Sequence, residues 1–164
     1  MENNSQTYEL NKVELAGYLI YKYNQKYHRR ISPVKLQKTL YLLFAMWGGN
    51  IRNIDFNEVE LESNLSKYLF NANFEAWKCG PVDREIYELS KENQIVEQQS
   101  LTSESDTVLS FIEDICSQTF EISDFALIDL VKQDFAWQNK YYNRDTYMDN
   151  EEIIEEYSLT KRLA

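Results

Sequence analysis

Apolar residues recur at three- and four-residue steps near the start of the chain. Val13, Ala16, Ile20, Tyr23 and Tyr27 share one face, which predicts a helix over residues 10–27 with a single buried stripe. His28-Arg29-Arg30 ends it. Ser32-Pro33 is a strong start for a second helix, because serine accepts a hydrogen bond from an unpaired N–H and proline loses nothing at the first helical position. Over residues 33–47, Leu36, Leu40, Leu43 and Trp47 form one stripe, and Thr39, Phe44 and Met46 widen it enough for a central, enclosed helix. Gly48-Gly49 is expected to close that helix in the left-handed conformation.

The period weakens over residues 50–73, which read as a surface excursion with a short helix near 57–65 and a strand at 68–70. Residues 74–77 alternate, Phe74 and Ala76 facing one way and Glu75 and Trp77 the other, as in a short half-buried strand. That strand is expected to pair with residues 68–70 across Asn71-Ala72-Asn73 and to stop at Gly80-Pro81. Proline has no N–H and biases the residue before it away from helical angles, so the chain turns before Asp83 caps a new short helix carrying Ile86, Tyr87 and Leu89. After a polar linker, Ser103 with Asp106 opens a helix to about residue 119, with Val108, Leu109, Ile112, Ile115 and Cys116 inward. Ser123 opens another over residues 123–137, packing Phe125, Leu127, Ile128, Val131, Phe135 and Trp137. Asp149-Asn150-Glu151-Glu152 makes a capping box for a terminal helix around Ile153, Ile154 and Tyr157. The expected fold class is mainly α: a compact single-domain helical fold over residues 1–164, frayed over 1–9, with a small β-hairpin near the Gly80-Pro81 corner.

Composition narrows the function. A chain of 164 residues buries a sufficient core without staples, and its two cysteines, Cys79 and Cys116, lie far apart with no clustered histidine. A reduced cytoplasm fits that usage. The apolar run over residues 40–47 is far short of the roughly 20 residues that span a bilayer, and no secretory leader pattern is present. The formal charge of -10 is uneven: residues 92–131 contain no Lys or Arg, whereas Lys22, Lys26, His28, Arg29, Arg30, Lys35 and Lys38 form a local basic segment. A nucleic-acid binder needs enough positive charge to displace counterions from phosphates, and this chain as a whole repels them, so direct nucleic-acid binding is disfavoured.

Catalytic chemistry is sparse. One histidine, His28, cannot build a two-histidine metal site, and no P-loop or dinucleotide glycine pattern occurs, so no metal or other cofactor is expected. Cys79 beside Lys78, with Glu75 and Asp83 nearby, is the one nucleophile candidate, without a base and orienting partner in view. A small enzyme centred on Cys79 is therefore the weaker alternative to a binding protein.

Lys35-Leu36-Gln37-Lys38 with Tyr41, then Phe74-Glu75-Ala76-Trp77 running into Gly80-Pro81-Val82 and Tyr87, resembles the signature of the Panacea domain family, which includes the SocA-type antitoxin and prophage-associated proteins. The resemblance continues through Leu130 and Trp137 to Ile153-Ile154; Val131 and Lys132 stand where the family usually has Thr and His, and Ala136 where it has Pro. It implies a helical domain that neutralises a cognate toxin by direct contact, with delivery of the toxin to a protease as one known route. Within the matched motifs, Leu36, Tyr41, Trp77, Gly80, Pro81 and Tyr87 are expected to serve the fold, and Lys35, Lys38, Glu75 and Arg84 are the candidates for partner contact. The alternative partner is a host defence nuclease, inhibited by acidic residues that imitate nucleic acid.

Overall fold

A computed structural model describes residues 8–57, 65–103 and 105–159, and among them the fold is seven α-helices with one two-stranded antiparallel sheet. The mainly helical reading with a small hairpin holds. Asn11 caps α1 (Lys12–Tyr27) by accepting from the N–H groups of Val13 and Glu14, and His28, in the left-handed region at φ 55°, ends it. Ser32 Oγ accepts from Lys35 N at the start of α2 (Pro33–Asn57). Leu36, Leu40, Tyr41, Leu42, Leu43, Phe44 and Ala45 are all buried, so α2 is enclosed on every side and the other elements pack round it.

The second helix does not stop at Gly48-Gly49. It runs on to Asn57, because the two glycines are where α7 (Asn150–Leu159) crosses close. A Cβ on Gly49 would lie 2.6 Å from the Tyr157 carbonyl oxygen, and one on Gly48 would collide with Ile154. The missing side chains thus admit a neighbouring backbone rather than terminate a helix.

The expected surface excursion is also corrected. Leu69, Phe70 and Ala72 are core residues, with Phe70 packed between Phe44 and Phe74. The short helix expected near residues 57–65 falls largely outside the described residues. Residues 68–70 do not pair with the strand at 74–77; they meet the start of the chain, where Tyr8 bridges Tyr68 and Leu10 N donates to Leu69 O at 2.9 Å. Tyr8 and Glu9 are accordingly tied down, not frayed.

The hairpin lies one turn further on. β1 (Phe74–Trp77) pairs antiparallel with β2 (Gly80–Asp83) from Trp77↔Gly80 to Phe74↔Asp83, so Lys78-Cys79 is the turn and Gly80-Pro81 opens the second strand. Gly80, at φ 109°, supplies the backbone conformation that this reversal needs, and Pro81 is tolerated because a two-stranded sheet has only edge strands. The outer edge of β1 is covered by residues 146–148: Ala76 N donates to Thr146 O and Met148 N to Phe74 O.

Asp83 caps α3 (Arg84–Lys91) as expected. The next cap is Ser105, not Ser103; its Oγ accepts from Val108 N to open α4 (Asp106–Thr119). The single helix expected over residues 123–137 is two, α5 (Asp124–Lys132) and α6 (Phe135–Tyr142), split at Asp134, which is buried and accepts from the hydroxyls of Tyr41 and Tyr157 at 2.7 and 2.6 Å. Phe125, about 200° round α5 from the buried Leu127, and Phe135, the first residue of α6, face outward, 83% and 67% exposed, against the expectation that both pack inside. Asp149 Oδ1 accepts from Glu151 N and Glu152 N at the start of α7. No helix among the described residues is long and apolar enough to cross a membrane.

Candidate functional site

The two segments that stand out in the sequence, residues 35–41 and 74–87, come together where the first turns of α2 meet the hairpin and α3. The polar side chains of α2 act there as backbone partners. Gln37 pairs with the last residue of β2 through both ends of its amide, Nε2 donating to Asp83 O at 3.0 Å and Oε1 accepting from Asp83 N at 2.9 Å. Lys38 Nζ donates to Pro81 O at 2.9 Å. One residue edge of β2 after another is thereby completed by side chains of a helix instead of a third strand.

Lys35 turns the other way. Its ammonium donates to the carbonyl oxygens of Phe120, at 3.2 Å, and Ile122, and lies 3.7 Å from Asp124 Oδ1, so it fastens the loop between α4 and α5 to α2. Both lysines expected to face a partner are therefore buried, Lys38 at 2% exposure. Burial disfavours the charged form, and Lys38 is pushed down to about 8.

Asp83 joins three segments: Oδ1 caps α3 at Ile86 N, and Oδ2 accepts from Lys12 Nζ at 2.9 Å and from Asn73 N at 3.2 Å. Lys12 also reaches Glu85 at 2.9 Å. On the outer side of the hairpin, Arg84 makes a two-pronged pair with Glu75, at 2.9 and 3.0 Å, and its guanidinium lies 5.1 Å from the centre of the Trp77 ring. The Arg84 hydrogen bonds hold the Glu75 carboxyl below the usual carboxylate range, against the opposing effect of burial, and Trp77 Nε1 adds a donor at 3.2 Å. Trp77 meets Tyr87 edge to face, with centroids 4.8 Å apart, and is fixed from below by Trp137, whose Nε1 donates to Trp77 O. Glu75 and Arg84 are thus brought together as one pair; Lys35 and Lys38 leave α2 in different directions and do not join them.

Between α2, the hairpin and α3 lies a cavity of about 280 Å³, walled by Val34, Leu36, Val82 and the rings of Trp77 and Tyr87. Cys79, at the exposed hairpin turn, lines its mouth. Cys116 is elsewhere, a small residue of the core whose thiol is pushed up by burial. His28 ends α1 and takes no part in this corner. Among the described residues, no group of three or more His, Cys, Asp or Glu is placed to hold a metal ion.

Sequence reasoning passed over Lys12, Gln37 and Asp134. Gln37 lies within the Lys35–Tyr41 motif, between two lysines whose charge marks them as the more obvious candidates. The signal for Asp134 was an aspartate directly before an aromatic run, an N-cap pattern inside an otherwise continuous apolar period.

The fold and this corner define a mainly α domain in which a helix, a hairpin and a short helix flank an apolar cavity. No protein-family model, curated protein or solved structure matches the chain.

Proposed function

We propose that this chain is a cytoplasmic, antitoxin-like protein-binding domain that neutralises a cognate toxin by direct contact. The observation that carries the reading is the convergence of residues 35–41 and 74–87, the segments that resemble the Panacea signature, on a single corner of the fold. Its outer face shows Trp77, Tyr87 and Arg84, the residue types that dominate protein interfaces, held rigid by the Glu75 pair and the Trp137 hydrogen bond. Ordering costs at an interface fall when the anchoring side chains are fixed beforehand. Contact runs through Arg84 and the aromatic pair, while Lys35 and Lys38 shape the surface from inside. An adaptor role that hands the bound toxin to a protease is compatible with the same surface.

The test is co-expression with the adjacent gene, scoring growth and isolating the complex under native conditions. A stoichiometric complex with restored growth is the expected result, and Arg84→Ala, at a side chain 56% exposed, should weaken that complex about tenfold while circular dichroism stays unchanged. Absence of both the complex and the rescue would overturn the antitoxin reading. A second reading, inhibition of a host defence nuclease, is favoured by the exposure of Glu92, Glu97, Asp106, Asp114 and Asp129 within a stretch that contains no basic residue. It predicts that this protein and the substrate nucleic acid compete for the nuclease's site.

A further inference from the structure

The cavity between α2, the hairpin and α3 has a charge character opposite to that of the chain. With 27 Asp and Glu against 17 Lys and Arg, a randomly chosen hollow should present carboxylates. Here the charged residues that line it are Lys38 and Lys91, with no Asp or Glu among the lining. Lys38 also has no carboxylate against it: among the described residues its ammonium has one hydrogen-bond acceptor, the neutral carbonyl of Pro81, and the ionisable group acting on it is the Cys79 thiol. A buried cation facing a neutral carbonyl is costly, and the shift of its protonation down to about 8 reflects that cost. The walls, by contrast, are aliphatic and aromatic, and the volume of about 280 Å³ lies just under the range of drug-sized pockets.

We propose that this cavity is a binding site for a small apolar carboxylate, its hydrocarbon body between Leu36, Val82 and the rings of Trp77 and Tyr87 and its acid group toward Lys38 and Lys91. The apolar body gains from leaving water, and the acid supplies the counter-charge that Lys38 lacks. Because Lys38 also holds Pro81 O, the occupant bears directly on the strand that follows the hairpin turn. The inference stands on the cavity and its charges and is independent of the antitoxin reading.

The chain carries its own reporter. Cys79 lines the cavity and is exposed, whereas Cys116 is buried, so alkylation by iodoacetamide under native conditions reads Cys79 alone. With 4-phenylbutyrate as probe, alkylation of Cys79 should slow at least about fivefold at saturation, and the neutral amide of the same probe should bind about tenfold more weakly. Ser90→Trp, which fills the cavity from α3, should abolish the protection. Lys38→Met should erase the preference for acid over amide; if that variant fails to fold, Lys91→Ala, at an exposed side chain, should reduce it. Absence of protection at millimolar probe, equal protection by acid and amide, or protection that persists in Ser90→Trp would each overturn the proposal.

Discussion

Lys38 illustrates how a charged residue can be structural. Its ammonium, 2.9 Å from Pro81 O, is one of three polar groups by which α2 reads the backbone of β2, the other two being the ends of the Gln37 amide. A lysine whose folded value is about 8 against an ordinary 10.5 holds fewer protons in the folded chain than in the unfolded chain between those values, so folding stability rises with pH in that window. The wild type should gain about 2 kcal/mol relative to Lys38→Met between pH 7 and pH 9.5, measured by urea unfolding at the two pH values. An unchanged difference would mean that Lys38 is not buried as an ammonium. Tyr41 and Tyr157, pushed up by burial and by the Asp134 carboxylate, act in the opposite sense above their ordinary range but are common to both proteins and cancel. Residues 35–38 span a whole helical turn, so once α2 is read as enclosed on every side, some of Lys35, Gln37 and Lys38 must be inside. Enclosure was legible from the width of the apolar stripe. The identity of the acceptors was not, because those carbonyls belong to residues 81, 83, 120 and 122, which helix periodicity does not address.

At the scale of elements, the caps were the most readable feature: Ser32, Asp83, Ser123 and Asp149 each accept from the N–H groups of the helix they precede. Capping is local chemistry and needs no knowledge of what packs where. Gly48-Gly49 shows the converse. The same two letters suit a left-handed helix end and a close crossing, and what decides between them is α7, a distant part of the sequence. The crossing makes a sharp prediction. Alanine at a helical glycine ordinarily stabilises by about 1 kcal/mol, yet Gly49→Ala should destabilise by about 2 kcal/mol, seen as a lower thermal midpoint, since its Cβ would press on the Tyr157 backbone. Gly48→Ala should cost less, because the Ile154 side chain can turn aside. The split between α5 and α6 escaped the periodic reading for a related reason: Asp134 stands at the N-cap position, but its carboxylate is the shared acceptor of two phenols from α2 and α7, and the first N–H groups of α6 donate instead to Glu156 of α7, so both arrangements are tertiary.

Across the whole molecule, the uneven charge of the sequence is partly reconciled by folding. Lys22 of α1 pairs with Glu113 of α4, and Lys26 with Glu121, so part of the basic segment lies against part of the acidic one. What remains is the excess of -10, and Asp106, Asp114 and Asp129 are exposed. Under the proposed antitoxin reading, a toxin with a basic surface should associate about tenfold more slowly at roughly 0.5 M salt than at low salt while dissociation changes little, as read by surface plasmon resonance. A rate indifferent to salt would remove charge steering from the mechanism. The crossing of α2 by α7 has a further consequence, in the order of events during synthesis. α2 leaves the ribosome well before α7, and until α7 arrives the groove at Gly48 and Gly49 has no Ile154 or Tyr157 to fill it. The nascent chain therefore carries an uncovered apolar seam along its central helix, a feature that chaperones recognise and that a prematurely ended product would never close.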